Sequence, residues 1–412
     1  MKFGLIGEHL GHSFSKAIHE KIGGYVYEIK EIEPQKVEAF FKERDFVGVN
    51  VTIPYKEKVI PMLDFIDEHA KKIGAVNTVI NKNGKLYGYN TDYMGLKSLV
   101  LRTGTEIEGK KVLVIGTGGT SKTARAVIGD MGAKEILFVS HRKTDTALTY
   151  EEVYAFHTDV DVIFNTSPVG MYPNNDTSPI DLTRFPKLTA VIDVVYNPIK
   201  TKLVKEAQAL GIKASAGLYM LSAQAVYAYE LFSGNEATKE LCDSIFKSVI
   251  KEKSNIILVG MPSSGKTSVG KRLATLTGKQ FVDTDDELVK REGIDIPTIF
   301  ANKGEGYFRD LESKTIEDVS KLNGLVIATG GGAVLRNTNV DSLKQNGKIY
   351  FIDRSLENLM PTEDRPLSST REAIEKRYNE RYQIYKESAD VIVNGDGSVN
   401  EVAEEIYKEY LK

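Results

Sequence analysis

Apolar runs of strand length alternate with longer stretches of helical periodicity along almost the whole chain. "KFGLIG", "FVGVNVTIP" and "NTVIN" read as strands near the start. After the polar, turn-rich "RTGTEIEGK" comes "KVLVIGTGGTSKTARAVIGDMGAKEILFVSHR". Its pattern predicts a buried strand, a glycine turn, a helix and a second strand, the layout of a βαβ unit. "VDVIFNTS" and "TAVIDVVYN" supply two more buried strands, and residues 217–249 are helical in pattern. The strand–loop–helix pattern then restarts at "IILVGMPSSGKTSVGKRLATLTG". "GLVIATGGG" and "KIYFIDR" predict further strands, and residues 371–388 a charged helix.

This order predicts an α/β protein in three segments. Residues 1–104 form a substrate lobe, and 105–250 a dinucleotide lobe whose C-terminal helices pack back across the cleft. Residues 255–412 form a separate nucleotide-binding domain, and the connecting "KEKS" is too short to let the halves drift far apart. A chain of 412 residues is indeed too long for one ordinary core. Its formal net charge of -3, with no basic block, argues against nucleic acid and acidic membrane surfaces as partners. No run of 18 apolar residues exists to span a membrane. The start, "MKFGLIGEHLGHS", breaks before a signal-peptide core can form, and the single Cys242 fits a reducing compartment, so the expected location is the cytoplasm. Cys242 sits in a helix-like pattern and reads as packing.

"GMPSSGKT" follows a strand and precedes a helix, the context a phosphate-binding loop requires. Gly260, Ser264 and Gly265 let backbone N–H groups close around phosphate, Lys266 neutralises its charge, and Thr267 offers a hydroxyl to Mg²⁺. The motif implies ATP and leaves the acceptor open. In "FVDTDDELV", Asp283 and Asp285 stand two apart at a strand's end, so in an extended chain both carboxylates point the same way. One suits the metal and the other a hydroxyl proton. Arg309 in "GEGYFRDLE" is expected just inside a helix, and the glycines of "ATGGGAV" allow bare backbone to approach a ligand. Arg365 lies in the polar loop "EDRPLS", while Arg377 and Arg381 share a helical face in "RYNERYQIY".

Taken in order and spacing, these motifs resemble the shikimate kinase family across residues 255–412. The resemblance implies that Asp285 holds the substrate's ring hydroxyls, with Arg309, Arg381 and the Gly331–Gly332 backbone around its carboxylate. It makes Asp283 the partner of Mg²⁺ and Arg365 a lid residue over the nucleotide phosphates.

In the first half, Gly116, Gly118 and Gly119 form the glycine turn of the βαβ unit. The next strand ends in "SHRK", with Arg142 where an NAD site usually places an acid, so the turn should prefer NADP. Lys56 in "NVTIPYK" and Asp92 in "GYNTDYMG" are a pair able to pass a proton to a carbonyl oxygen as hydride reaches carbon. Read singly, they are a surface lysine and a turn acid. Ser13 and Ser15 in "GHSFS" offer two hydroxyls on one side of an extended stretch.

"GHSFSKAIH", "GVNVTIPYK", "GAVNT", "YNTD", "GTGG", "NTSPVGM", "DVVYNPIKT" and "GLYMLSAQA" together resemble the shikimate dehydrogenase family along residues 1–250. The fold implied is an α/β substrate lobe plus a Rossmann NADP lobe, followed by a kinase-like P-loop α/β domain with a parallel sheet. The resemblance implies that Ser13, Ser15, Thr52, Asn77, Asn90, Tyr196 and Gln224 line the substrate pocket, with Lys56 and Asp92 catalytic. Gly217 and Met220 would flank the nicotinamide, with Thr166 and Ser167 near the cofactor. Lys16 and Glu20 depart from the family's usual residues. So few residues separate "VSHR" from "FNTSP" that a helix of the NADP lobe should be short.

Both halves point to one small molecule. The expectation is a bifunctional enzyme that reduces 3-dehydroshikimate with NADP(H) and then phosphorylates shikimate with ATP and Mg²⁺. The alternative is a quinate/shikimate dehydrogenase fused to another small-molecule kinase. A homodimer is compatible with the sequence, which does not fix the oligomeric state.

Overall fold

A computed structural model describes residues 2–10, 14–141, 144–361 and 370–412. The chain divides into two compact units, Met1–Val249 and Ile250–Lys412. The expected α/β organisation is found in both.

The first unit opens with β1 (Phe3–Gly7), α1 (Ser15–Ile22), β2 (Tyr27–Glu31), α2 (Val37–Glu43) and β3 (Gly48–Val51). It continues through β4 (Phe65–Ile66), α3 (Glu68–Ile73), β5 (Thr78–Lys82), β6 (Lys85–Tyr89) and α4 (Thr91–Thr103). These strands make a six-stranded mixed sheet in the order β2-β1-β3-β5-β6-β4. β5 and β6 pair antiparallel about Asn83 and Gly84, both left-handed (φ 53 and 80), as a tight hairpin turn demands.

A parallel, five-stranded sheet follows, in the order β11-β10-β9-β7-β8. Its elements are β7 (Lys111–Ile115), α5 (Gly119–Asp130), β8 (Glu135–Val139), α6 (Tyr150–Phe156), β9 (Val162–Asn165), β10 (Ala190–Asp193), α7 (Lys202–Ala209) and β11 (Lys213–Ser215). Helices on both faces bury the central strands, which explains their near-continuous apolar sequences. α6 has only 7 residues, the shortening expected between β8 and β9. Strand order reverses between β7 and β9, and in such sheets the crevice beyond that point is where ligands bind.

α8 (Leu218–Ser233) and α9 (Lys239–Lys253) close the unit. α8 packs on α4. The crossing is so close that a Cβ on Gly95 would stand 2.7 Å from the Met220 carbonyl and 2.9 Å from the Gln224 Cβ. Cys242 is buried on α9, and burial pushes its thiol up to about 11, consistent with packing. The "KEK" read as connecting chain is instead the last turn of α9; Lys279 Nζ caps it, donating to the carbonyls of Lys251, Glu252 and Ser254 at 2.7–3.0 Å.

The second unit runs β12 (Asn255–Val259), α10 (Lys266–Thr277), β13 (Gln280–Asp283), α11 (Thr284–Glu292), α12 (Ile296–Ser320) and β14 (Leu325–Ala328). Then come α13 (Asn337–Asn346), β15 (Gly347–Asp353), α14 (Arg371–Ser388), β16 (Val391–Asn394) and α15 (Val399–Leu411). Its sheet is parallel and five-stranded, ordered β13-β14-β12-β15-β16. Apolar clusters lie on both faces, one around Ile257, Ile327 and Phe351 and the other around Leu258, Val326 and Val402. No helix among the described residues is long and apolar enough to cross a membrane.

Gly95→Ala should force α4 and α8 apart and cost about 1–3 kcal/mol, the usual penalty of overpacking. Urea unfolding checks the loss, and displacement of Gln224 should raise the substrate KM of the first unit.

Candidate active sites

In the first unit the central pair is Lys56 Nζ and Asp92 Oδ2, 2.6 Å apart. Their side chains remain 30% and 19% exposed, so the ion pair is held yet reachable. Asp92 sits in the first turn of α4, where the helix N-terminus favours a carboxylate. Lys56 follows β3, and its neighbour Glu57 accepts from Lys122 Nζ, on the first turns of α5, at 2.7 Å. The chain at Lys56 and Glu57 is thus tied to the helix that follows the glycine turn.

Buried amides fix the floor beside this pair. Asn77 Oδ1 accepts from the Thr91 N–H (2.7 Å) and from the Thr78 and Thr91 hydroxyls (3.0 and 3.2 Å). With its oxygen occupied, the Asn77 NH₂ is the end left to donate. Thr78 is held in turn by Asn50 Nδ2 (2.9 Å), and Asn50 Oδ1 accepts from the Tyr27 hydroxyl (2.7 Å). Tyr27 is fully buried and stacks on His19 with centroids 3.9 Å apart. Burial pushes His19 down to about 3, so the imidazole is neutral against the ring. From α8, Gln224 Oε1 accepts from the Thr91 hydroxyl at 3.3 Å. Tyr27, Thr78 and Thr91 escaped the sequence reading because each looks like an ordinary strand or helix residue.

Asn90 is buried, and its amide makes two structural hydrogen bonds. Oδ1 caps α4 by accepting from the Tyr93 N–H, and Nδ2 donates to the Ala75 carbonyl. Thr52 follows β3, and Ser15 begins α1, next to Phe14, whose ring lies 5.6 Å from that of Tyr196. Tyr196 thus reaches the first sheet's lobe from the loop after β10. Ser13 lies outside the described residues.

The dinucleotide turn is built at the switch between β7 and β9. Gly116 is left-handed (φ 98), and a Cβ there would stand 3.2 Å from the Ser167 nitrogen and the Thr166 hydroxyl. Thr166 donates its hydroxyl to the Ile115 carbonyl, and Ser167 donates to Asn165 Oδ1. Asn165 Nδ2 in turn donates to Asp193, which also accepts from the Thr201 hydroxyl and the Val195 N–H. Burial nevertheless pushes the Asp193 carboxyl up to about 6. Gly118 and Gly119 face open space at the N-terminus of α5, room that a pyrophosphate requires. Gly217 presses against the Val194 backbone, and Met220 follows in the first turn of α8. Arg142 lies outside the described residues.

In the second unit the loop between β12 and α10 carries Gly260 and Gly265 in left-handed conformations (φ 151 and 91). Lys266 is buried at the start of α10 and donates to the carbonyls of Gly260 (2.9 Å) and Met261 (2.8 Å). The Thr267 hydroxyl donates to Asp283 Oδ2 at 2.8 Å, so the two expected magnesium residues are neighbours. Ser264 is buried within the loop.

Asp283 and Asp285 do not lie on one extended strand. β13 ends at Asp283, whose Oδ1 caps α11 by accepting from the Asp285 N–H, and Asp285 lies in the first helical turn. Both carboxylates still reach the same cavity of about 350 Å³. Arg309, Arg377, Arg381 and the Gly330–Gly332 backbone line it as well. α12 kinks at Gly304 (φ 79), so Arg309 begins its second segment, as expected from "GEGYFRDLE".

Each glycine after β14 has a physical reason. Cβ atoms on Gly330, Gly331 and Gly332 would meet Asp285 Oδ1 at 2.6 Å, the Pro262 ring at 3.0 Å and Arg309 Nη1 at 2.0 Å respectively. Arg381 and Tyr385 both donate to the Gly331 carbonyl. Arg309 pairs with Glu312 at 2.8 Å and Glu305 at 3.2 Å. Sequence reasoning passed over Glu312; its spacing of three from Arg309 on a helix was the available signal. Burial raises its pKa against the pull of Arg309, and its Oε1 has no partner among the described residues. Arg365 lies outside the described residues.

Comparison with known proteins finds relatives of both units. The family model for the shikimate dehydrogenase substrate binding domain matches residues 5–79, and that for shikimate kinase matches 262–411. An NADP(+) shikimate dehydrogenase of Clostridium perfringens (strain SM101 / Type A) is 38% identical over 263 residues, 60% of this chain and 97% of the relative. That of Halothermothrix orenii is 40% identical over 264 residues, 56% of this chain and 90% of the relative. Among solved structures, a chorismate mutase/shikimate 5-dehydrogenase fusion protein from Clostridium acetobutylicum matches at TM-score 0.57 and 36% identity, covering 60% of this chain and 96% of that one. A Thermus thermophilus shikimate 5-dehydrogenase in complex with NADP(H) and shikimate matches at TM-score 0.54 and 27% identity, covering 60% and 99%.

Tyr27→Phe removes the hydroxyl that holds Asn50 and leaves a buried acceptor unpaired, which should cost about 1–3 kcal/mol. Urea unfolding reports that loss, and steady-state kinetics should show KM of the first unit's substrate rising more than kcat falls.

Proposed function

We infer the direction and products of both reactions from one premise: the chain belongs to the shikimate dehydrogenase family through its first unit and carries a shikimate kinase domain in its second. It is a bifunctional enzyme of the shikimate pathway. Its first site reduces 3-dehydroshikimate to shikimate with NADPH, and its second converts shikimate and ATP to shikimate 3-phosphate and ADP.

At the first site NADPH supplies the hydride when bound across the Gly116–Gly119 turn. Asn77 and Gln224 orient the substrate, and the Lys56 ammonium gives a proton to the carbonyl oxygen as the new C–H bond forms. Asp92, 2.6 Å away, holds that ammonium in place. Lys56 then regains its proton from water. The open space at Gly118 and Gly119, where any side chain would intrude, supports the cofactor assignment. So does the absence of an acid in the Ser140–His141 stretch after β8, for the 2′-phosphate form.

At the second site ATP is the substrate held by the 260–267 loop, and Mg²⁺ would be held through Thr267 and Asp283, where it neutralises phosphate charge. Lys266 is released from the Gly260 and Met261 carbonyls to meet the phosphates. Asp285 accepts the proton of the attacking hydroxyl as the new O–P bond forms and the bond to ADP breaks. Arg309 and Arg381 hold the carboxylate. The observation that carries the kinase reading is this cavity, in which Asp285, three arginines and bare glycine backbone stand beside Pro262 and Thr267 of the phosphate loop.

Lys56→Ala should lower kcat/KM of reduction by about 100- to 10,000-fold, the usual worth of a positioned proton donor, while phosphorylation stays within about twofold. Lys266→Ala should do the reverse, lowering phosphorylation about 100- to 1,000-fold by loss of one electrostatic contact. NADPH oxidation and ADP release assays on each variant check this. Loss of both activities from either substitution would contradict two separate sites, and phosphorylation of some other hydroxylated acid in place of shikimate would overturn the kinase assignment.

A further inference from the structure

The acceptor cavity of the second unit is lined by Asp283, Asp285, Asp286 and Glu312 as well as three arginines, and one of those arginines, Arg377, has no carboxylate paired with it among the described residues. Arg309 is matched by Glu312 and Glu305, and Arg381 donates to the Gly331 carbonyl at 3.0 Å. Arg377, one helical turn before Arg381 on α14, lines the same cavity. Its hydrogen bond is a long one, Nη1 to the Ala373 carbonyl of its own helix at 3.4 Å. Its Nε is buried with no partner, and among the described residues no carboxylate reaches it within ion-pairing distance. Burial and the neighbouring guanidinium of Arg381 together press its pKa down, the signature of a cation held in an unfavourable place. An N–H donor stripped of water and left unpaired costs free energy, and three guanidiniums converging on one cavity add repulsion. A bound anion relieves both at once, and a planar guanidinium suits a carboxylate.

We propose that Arg377 is a specificity-determining residue of the acceptor site, closing on the acceptor's ionised carboxylate together with Arg309 and Arg381. The inference rests on the kinase reading above. It makes the negative charge of the acceptor, beyond its hydroxyls, a requirement of this cavity.

The experiment uses the full chain with ATP and Mg²⁺ and compares shikimate with its methyl ester, an acceptor of similar shape without the charge. Arg377→Gln should raise KM for shikimate about 10- to 100-fold, the range for a hydrogen bond to a charged group. KM for ATP and the dehydrogenase rate should stay within about twofold, and KM for the ester should not change. Arg377→Lys should recover part of the loss. Arg377→Met, which keeps the aliphatic stem, should match the glutamine variant and guards against a packing defect. Unchanged KM for shikimate overturns the proposal, as does an equal rise for the ester. A rise in KM for ATP alone also overturns it and assigns Arg377 to the nucleotide. If the unaltered chain phosphorylates no shikimate at all, the kinase reading fails, which is a different result from a silent Arg377 variant in an active kinase.

Discussion

In both units, functional side chains and turns pack closely together because bare backbone lies where a side chain would otherwise stand. Gly95 lets α4 and α8 cross closely enough for the Thr91 hydroxyl, one residue before Asp92, to meet Gln224. Gly330 and Gly332 let Asp285 and Arg309 press against the end of β14. Gly116 lets the dinucleotide turn rest on Ser167. A methyl group at any of these points would push apart groups that must act together, so the sites depend on what is absent as much as on what is present.

Each site is also set at helix ends. Asp92 lies in the first turn of α4 and Asp285 in the first turn of α11, where unpaired backbone N–H groups favour carboxylates. The glycine turn and the phosphate loop feed the N-termini of α5 and α10, which favour phosphate for the same reason. In the two parallel sheets, the N-termini of α5, α10 and α11 come to the carboxyl edge of the strands. Architecture and electrostatics are therefore one arrangement: strands aim the loops, and helix termini supply the potential.

The central strands and the two phosphate turns were legible because buried parallel strands are continuously apolar and glycine turns are conspicuous. Less legible were β2, β4, β6, β11 and β16, which are short or lie at edges and half-exposed positions. The Asn83–Gly84 turn was the missed signal for β6. The pairing of Asp283 with Asp285 failed in its geometry, since a capping aspartate ends the strand and an extended reading of the next residues no longer holds. Asn90 also caps a helix, a role that spacing alone does not reveal. Thr78 was invisible because its role depends on three-dimensional neighbours, and Glu312 was signalled only by its spacing from Arg309.

The proposed pair of reactions, one making shikimate and the other consuming it, predicts a fixed stoichiometry. With limiting 3-dehydroshikimate and excess NADPH, ATP and Mg²⁺, the full chain should form NADP⁺ and ADP in equal final amounts, and no ADP before NADPH is added. ADP formed without NADPH, or NADP⁺ accumulating with no ADP, would contradict the account.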